Sequence, residues 1–227
     1  MVEKESKTNP TYYKLPVGYS GDKNSKKDYN LSNPQIRHIL NTFKQNHSNI
    51  ESSEFLKLLN SLYKGISSTE KYISGYLLEY YPNLRKQVKP KNLDQWINNL
   101  VGWAQIDSLC QSRFSAEEIL SNWKEWKKLL TEFSKSPNIS KKRASLVLLT
   151  KPVRDIRNDK LKELAFENID QLKSEKDILI TKAISWLLRD MIKNYREEVI
   201  RYLEDNKDSL PKIALRETTR KLKTGKK

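Results

Sequence analysis

The sequence holds one cysteine, Cys110, and two histidines, His38 and His47, among its 227 residues. A single thiol closes no intrachain disulfide and builds no thiolate zinc cluster. Cys110 lies beside Ile106 and Leu109, the setting of a small buried core residue. A nucleophilic thiol would be expected near a histidine, and both histidines are distant in sequence. Neither a metal nor a cofactor is expected. Glycine is scarce, with 6 in the chain, and alternating β-branched runs are few, which argues against a sheet protein. No apolar run is long enough to span a bilayer, and the first residues are charged rather than signal-like. The expectation is a soluble intracellular chain with no membrane partner. Acidic residues are also in short supply, 28 against 43 Lys plus Arg, for a formal charge of +15.

That excess, with a pI of about 9.6, favours a polyanionic partner, because each neutralised phosphate releases counterions. It would also suit an anionic membrane surface, or serve solubility alone. What the chain has in abundance is helical periodicity. The pattern predicts helices near 34–46, 52–64, 68–81, 92–110, 115–134, 140–150, 158–172, 176–194, 196–206 and 210–222. Ser115 with Glu118 forms a capping-box start. Pro34, Pro82, Pro90, Pro137, Pro152 and Pro211 fall at or between these segments. Residues 1–30 read as a polar N-terminal arm, 31–222 as a single helical domain and 223–227 as a basic tail. The arm is either solvated or packed through Tyr12, Tyr13 and Tyr19. The basic stretch from Arg216 to Lys227 reads either as a frayed tail or as a clamp on a nucleic-acid backbone. Short connections leave two all-α architectures, a closed bundle or an α-solenoid of repeated helical pairs.

Three segments carry candidate chemistry. On one continuous helix over 92–110, Trp96, Leu100, Trp103 and Asp107 would share a narrow stripe. Large apolar residues in a stripe are core; an aspartate completing it is either paired with a neighbouring cation or part of a site. In the helix from Ile180 to Lys193, the packed side is Ile184, Leu187, Leu188 and Met191. Lys182, Trp186 and Arg189 follow i, i+4, i+7 spacing and place an indole between two cations. That face suits nucleic acid, cations on phosphate and ring on sugar or base, and equally a cation–π cluster with no ligand. Lys141, Lys142 and Arg143 open another helix, either solvated or gripping a phosphate that the helix N-terminus also attracts. Trp103 precedes Arg143 by 40 residues, and Arg143 precedes Trp186 by 43. Those are intervals of HEAT-type repeats, whose equivalent positions align along one concave, basic face, and on that ground the solenoid is the preferred architecture.

These residues resemble the motifs of the AlkD-type DNA alkylation repair proteins, HEAT-like-repeat DNA glycosylases of base excision repair. Trp103-Ala-Gln-Ile-Asp107-Ser108 is similar to the family's Trp-Asp-x-Val-Asp-Ser, and Arg143-Ala144-Ser145 to its Arg-Ala-Ala. Lys182-Ala-Ile-Ser-Trp186-Leu-Leu188-Arg189 matches its Lys-Ala-x-x-Trp-x-Leu-Arg, the most specific of the set. Tyr19-Ser-Gly-Asp, the stretch from Tyr29 through Pro34 to Arg37, and Leu210-Pro211 with Leu215-Arg216 extend the likeness over about residues 17–220. The resemblance implies a hydrolase, a monomer in a bacterial cytoplasm, acting on double-stranded DNA that carries N3- or N7-alkylated purines. It implies that Asp107 stabilises an oxocarbenium-like sugar or positions water. Trp103 and Trp186 would pack on sugar and backbone, and Arg143, with Lys142, Lys182, Arg189 and Arg216, would hold DNA phosphates. The pattern departs at Ala104, Ser140 and Ser32, and a non-catalytic binder of damaged or branched DNA is the alternative.

Overall fold

The protein is seen in a computed structural model that describes residues 29, 31–111 and 113–226. The expectations for the arm at 1–28, including Tyr12, Tyr13 and Tyr19, lie outside the described residues. Among the described residues there are twelve helices and no strand, and the fold is all-α. The chain divides into two compact units, Met1–Leu109 and Cys110–Lys227.

The first unit contains α1 (Asn33–Asn46), α2 (Ser52–Lys64), α3 (Ser68–Tyr80), the single turn α4 (Pro82–Arg85), α5 (Pro90–Ile97) and α6 (Gly102–Cys110). Helix starts are chemically marked. Gln35 accepts from the Ser32 backbone N–H at 3.0 Å, with Pro34 in the first turn. Ser67 and Glu70 make a reciprocal capping box at 3.1 and 2.8 Å, which satisfies N–H groups that the first turn leaves unpaired. Phe55, Leu59, Tyr63, Leu77, Leu78, Leu93 and Trp96 form the core. Tyr63 stacks on Trp96 at 4.8 Å, and the indole donates to Asn60 Oδ1 at 2.6 Å.

The continuous helix expected over 92–110 is broken. α5 ends at Ile97, and Gly102, the first residue of α6, adopts a left-handed φ of 75°, a conformation glycine takes without a Cβ penalty. Trp96 and Leu100 are therefore buried core residues, each 2% exposed, and no four-residue stripe joins them to Asp107. Gln105 makes the new start. Its side chain accepts from the Val101 N–H at 2.9 Å and donates to Ser68 Oγ at 3.0 Å, tying α6 to the first turn of α3. Lower on the same contact, Gly75 lies so close that an added Cβ would stand 2.2 Å from the Ser108 carbonyl oxygen. Gly75→Ala must push α6 away, so a loss of about 3 kcal/mol is expected, the upper range for overpacking. Thermal melting against the unmodified chain measures it; an unchanged melting temperature would contradict this close packing.

The second unit contains α7 (Ala116–Ser121), α8 (Trp123–Lys135), α9 (Ile139–Asp155), α10 (Asp159–Leu172), α11 (Ile178–Asp205) and α12 (Lys212–Thr224). The helix expected over 115–134 breaks at Asn122, whose backbone is non-helical at φ −126° and ψ 48°. α9 runs on through Pro152 to Asp155. Proline is tolerated there because it stands near the helix end and removes one bond, that to the carbonyl of residue 148. α11 bends at Tyr195 (φ −137°, ψ 41°), where the sequence pattern divides 176–194 from 196–206. The Tyr195 hydroxyl holds the bend. It accepts from the Asn158 N–H at 2.7 Å and lies 3.1 Å from the Ile156 and Asn158 carbonyls.

Before the bend α11 bonds to α9; beyond it, Tyr202 donates to Asp170 of α10 at 2.8 Å and Lys173 reaches Asn206 at 2.7 Å. Each helix of one pair thus meets its counterpart in the next, the nearest-neighbour packing of helical repeats. α9 and α11 are joined by bonds that span 36 to 41 residues, Arg143 to Leu179, Arg154 to Asp190, and Asn194 to the Arg154 and Val153 carbonyls. Trp186 lies seven residues farther along its helix than the partner of Arg143, about 10 Å at 1.5 Å per residue.

Candidate nucleic-acid interface

In the first unit the site residues stand on α6. Trp103 is half-buried, and Asp107, one helical turn on, is 8% exposed. Their i, i+4 spacing survives the break at Gly102, so indole and carboxylate share a helix face. Gln105 and Ser108, on other sides of the helix, are engaged with Ser68 and with the Gln105 carbonyl at 3.0 and 2.7 Å. Ala104, where the motif it resembles carries an aspartate, is buried. Cys110 is buried, as the sequence setting indicated.

In the second unit the cations separate by what they touch. Arg143 is 5% exposed and donates through Nη1 to the Leu179 carbonyl at 2.6 Å, so it anchors the start of α11. Lys142 is paired with Glu175 at 2.5 Å. Arg189 is bonded to Glu217 and Ser185. Burial pushes the Glu217 carboxyl upward, but the Ser185 hydroxyl and the Arg189 guanidinium outweigh it and hold the group below the usual carboxylate range. Lys182 and Arg216, by contrast, are exposed. Arg220 and Lys223 are exposed on the same α12 as Arg216, and positions 212, 216, 220 and 223 fall within about 80° of helix azimuth. Lys221 is turned inward, donating to the Arg189 carbonyl at 2.8 Å.

Trp186 is half-buried, and its indole N–H donates to Asp190 Oδ2 at 3.0 Å. The same oxygen is 3.3 Å from Arg154 Nη1. Neither Asp190 nor Arg154 was among the expected site residues. The i+4 relation of Asp190 to Trp186 is visible in the sequence; that of Arg154 depends on how α9 packs against α11, which is not.

A shallow groove of about 330 Å³ lies between α1 and α3, lined by Arg37, Asn41, Lys44, Tyr76, Glu79 and Tyr80. Among the described residues, no helix is long and apolar enough to cross a membrane, and no group of three His, Cys, Asp or Glu side chains is placed to hold a metal ion.

No curated protein sequence matches the chain. A solved structure from Enterococcus faecalis, titled a predicted DNA alkylation repair enzyme, superposes with a TM-score of 0.72 at 15% identity, over 95% of this chain and 100% of that one. At that identity the likeness establishes a shared fold. The family model described as DNA alkylation repair enzyme matches residues 3–222, nearly the whole length. Helical pairs, an aspartate one turn beyond a half-buried tryptophan, and a second tryptophan bonded to an aspartate that an arginine also meets thus belong to a chain whose partner is DNA: the protein is a member of the DNA alkylation repair enzyme family.

Proposed function

We propose that the protein is a DNA glycosylase that hydrolyses the N-glycosidic bond of positively charged N3- or N7-alkylated purines in duplex DNA. The observation that carries this reading is the Trp103–Asp107 pair, an indole and a nearly buried carboxylate on one face of a helix pinned by Gln105 and Gly75. An alkylated purine already bears positive charge, so it leaves as a neutral base without a strong general acid. The C1′–N bond electrons depart with the base, and positive charge builds on the deoxyribose. A carboxylate in a largely desolvated setting stabilises that charge and orients the water that adds to C1′. Trp103 packs on the sugar beside it.

In the second unit, Trp186 packs on the DNA backbone, Lys182 and Arg216 contact phosphates, and Arg143 and Lys142 support that surface from the start of α9. Arg189 acts through its bonds to Ser185 and Glu217, which set the position of α12 against α11. The test is an excision assay on DNA carrying 7-methylguanine or 3-methyladenine, with Asp107→Asn as control. Release by the unmodified chain that the variant lacks supports the reading. No excision of either base, with tight binding of unmodified branched DNA, would replace it by a binding role.

A further inference from the structure

The polar cluster at Trp186 contains one carboxylate, one indole and one guanidinium, all on a single oxygen. Asp190 is 4% exposed, and its Oδ2 takes both the indole N–H at 3.0 Å and Arg154 Nη1 at 3.3 Å. The two donors differ in setting. The indole nitrogen is bonded to a buried carboxylate, while Trp186 as a whole is half-buried. The Arg154 side chain is 39% exposed and is held to Asp190 through one nitrogen. A guanidinium carries five donors in a rigid fork, and one bond to a carboxylate orients the fork without filling it. Around it, Lys151 is taken up by Asp155, while Lys182, one turn before Trp186, is exposed. A buried ion pair is weak as a stability device, since desolvation offsets much of its attraction. A pair that joins two helices and presents one fork to solvent beside an aromatic ring is suited to a ligand with both an anion and a flat or apolar surface.

We propose that Arg154 is a DNA-phosphate contact beside Trp186, and that Asp190 is a positioning residue that sets the indole and the guanidinium at once. This deepens the proposed function, because it rests on Trp186 meeting the DNA backbone. Arg143 occupies the expected phosphate role in the sequence motif but is nearly buried; Arg154, three turns on along α9, is half-exposed. Charge-assisted bonds from such a fork to phosphate are bidentate and directional, so the phosphate is placed relative to the ring.

The experiment measures binding of the full chain to a duplex oligonucleotide as a function of salt. Each phosphate contact contributes about 0.9 to the slope of log K against log salt, so Arg154→Gln is expected to lower the slope by about one. A merely structural ion pair would leave the slope unchanged, and that result overturns the proposal. Arg154→Lys keeps the charge but lacks the fork, so it should retain the slope and lose affinity severalfold; it stands in if the glutamine variant fails to fold. For Asp190, the side-chain N–H resonance of Trp186, identified with Trp186→Phe, should shift and exchange faster in Asp190→Ala. In that background Trp186→Ala should weaken binding less than in the unmodified chain; full additivity would remove the positioning role. Excision is scored separately on the same variants. A lost slope increment without any excision by the unmodified chain overturns the glycosylase reading alone. Excision with an unchanged Arg154→Gln slope overturns this inference alone, and absence of DNA binding overturns both.

Discussion

Asp107→Asn is expected to slow release of 7-methylguanine by about 10²- to 10³-fold, the usual loss when one preorganised electrostatic partner of a developing charge is removed. The substitution is isosteric, so the packing of a residue only 8% exposed is preserved while the negative charge is removed. The effect belongs in the chemical step. Ground-state DNA presents phosphates, which a carboxylate repels, so affinity for alkylated duplex should be unchanged or slightly tighter. Single-turnover excision and binding titrations on the same oligonucleotide separate the two. An equal excision rate would show that Asp107 takes no part in breaking the bond. A parallel loss of binding and rate would mean that the residue supports α6 rather than the oxocarbenium-like sugar.

How far this site could be read in advance follows from the range of the interactions that make it. Spacing within a helix is local, so the Trp103–Asp107 pair and the Lys182–Trp186–Arg189 face were legible, as was α2 at Ser52–Lys64 and the division of α11 at Tyr195. The break at Gly102 was not. Gln105, which caps the new start through the Val101 N–H, is held there by a tertiary bond to Ser68 that a window of periodicity does not see. The intervals of 40 and 43 residues pointed to a helical repeat, and the bonds between α9 and α11 span 36 to 41 residues. Charge was the least legible property. Composition supplies +15 but does not say which cations face one another. Lys142 and Arg189 each have a carboxylate partner, and Arg143 is turned onto a backbone carbonyl. Arg154 meets Asp190 across two helices, a relation that no local spacing encodes.

The same distinction makes the second large effect. Replacing Lys182, Arg216, Arg220 and Lys223 together by glutamine is expected to lower duplex affinity by roughly 10³-fold at 0.1 M salt and to reduce the salt slope by about three to four, at about 0.9 per phosphate contact. These four are exposed, and three of them lie along one stripe of α12, the helix closed by Gly225 at φ 70°. Lys221 on the same helix is directed inward to Arg189, so the stripe is a property of the folded helix and not of a basic tail as such. Glutamine keeps most of the side-chain length and helix propensity, and removing exposed charges costs little stability; the melting temperature should stay within a few degrees. Replacing Lys142 is the contrasting case. Its ammonium already faces Glu175, so little counterion release is available from it, and its loss should change the slope by far less than one. If the fourfold variant keeps the full slope, α12 and the face of Trp186 do not meet phosphate, and the DNA-binding surface of the second unit must lie elsewhere. If Lys142→Gln alone reproduces a full increment, the Lys142–Glu175 pair opens on binding and the start of α9 is part of the interface.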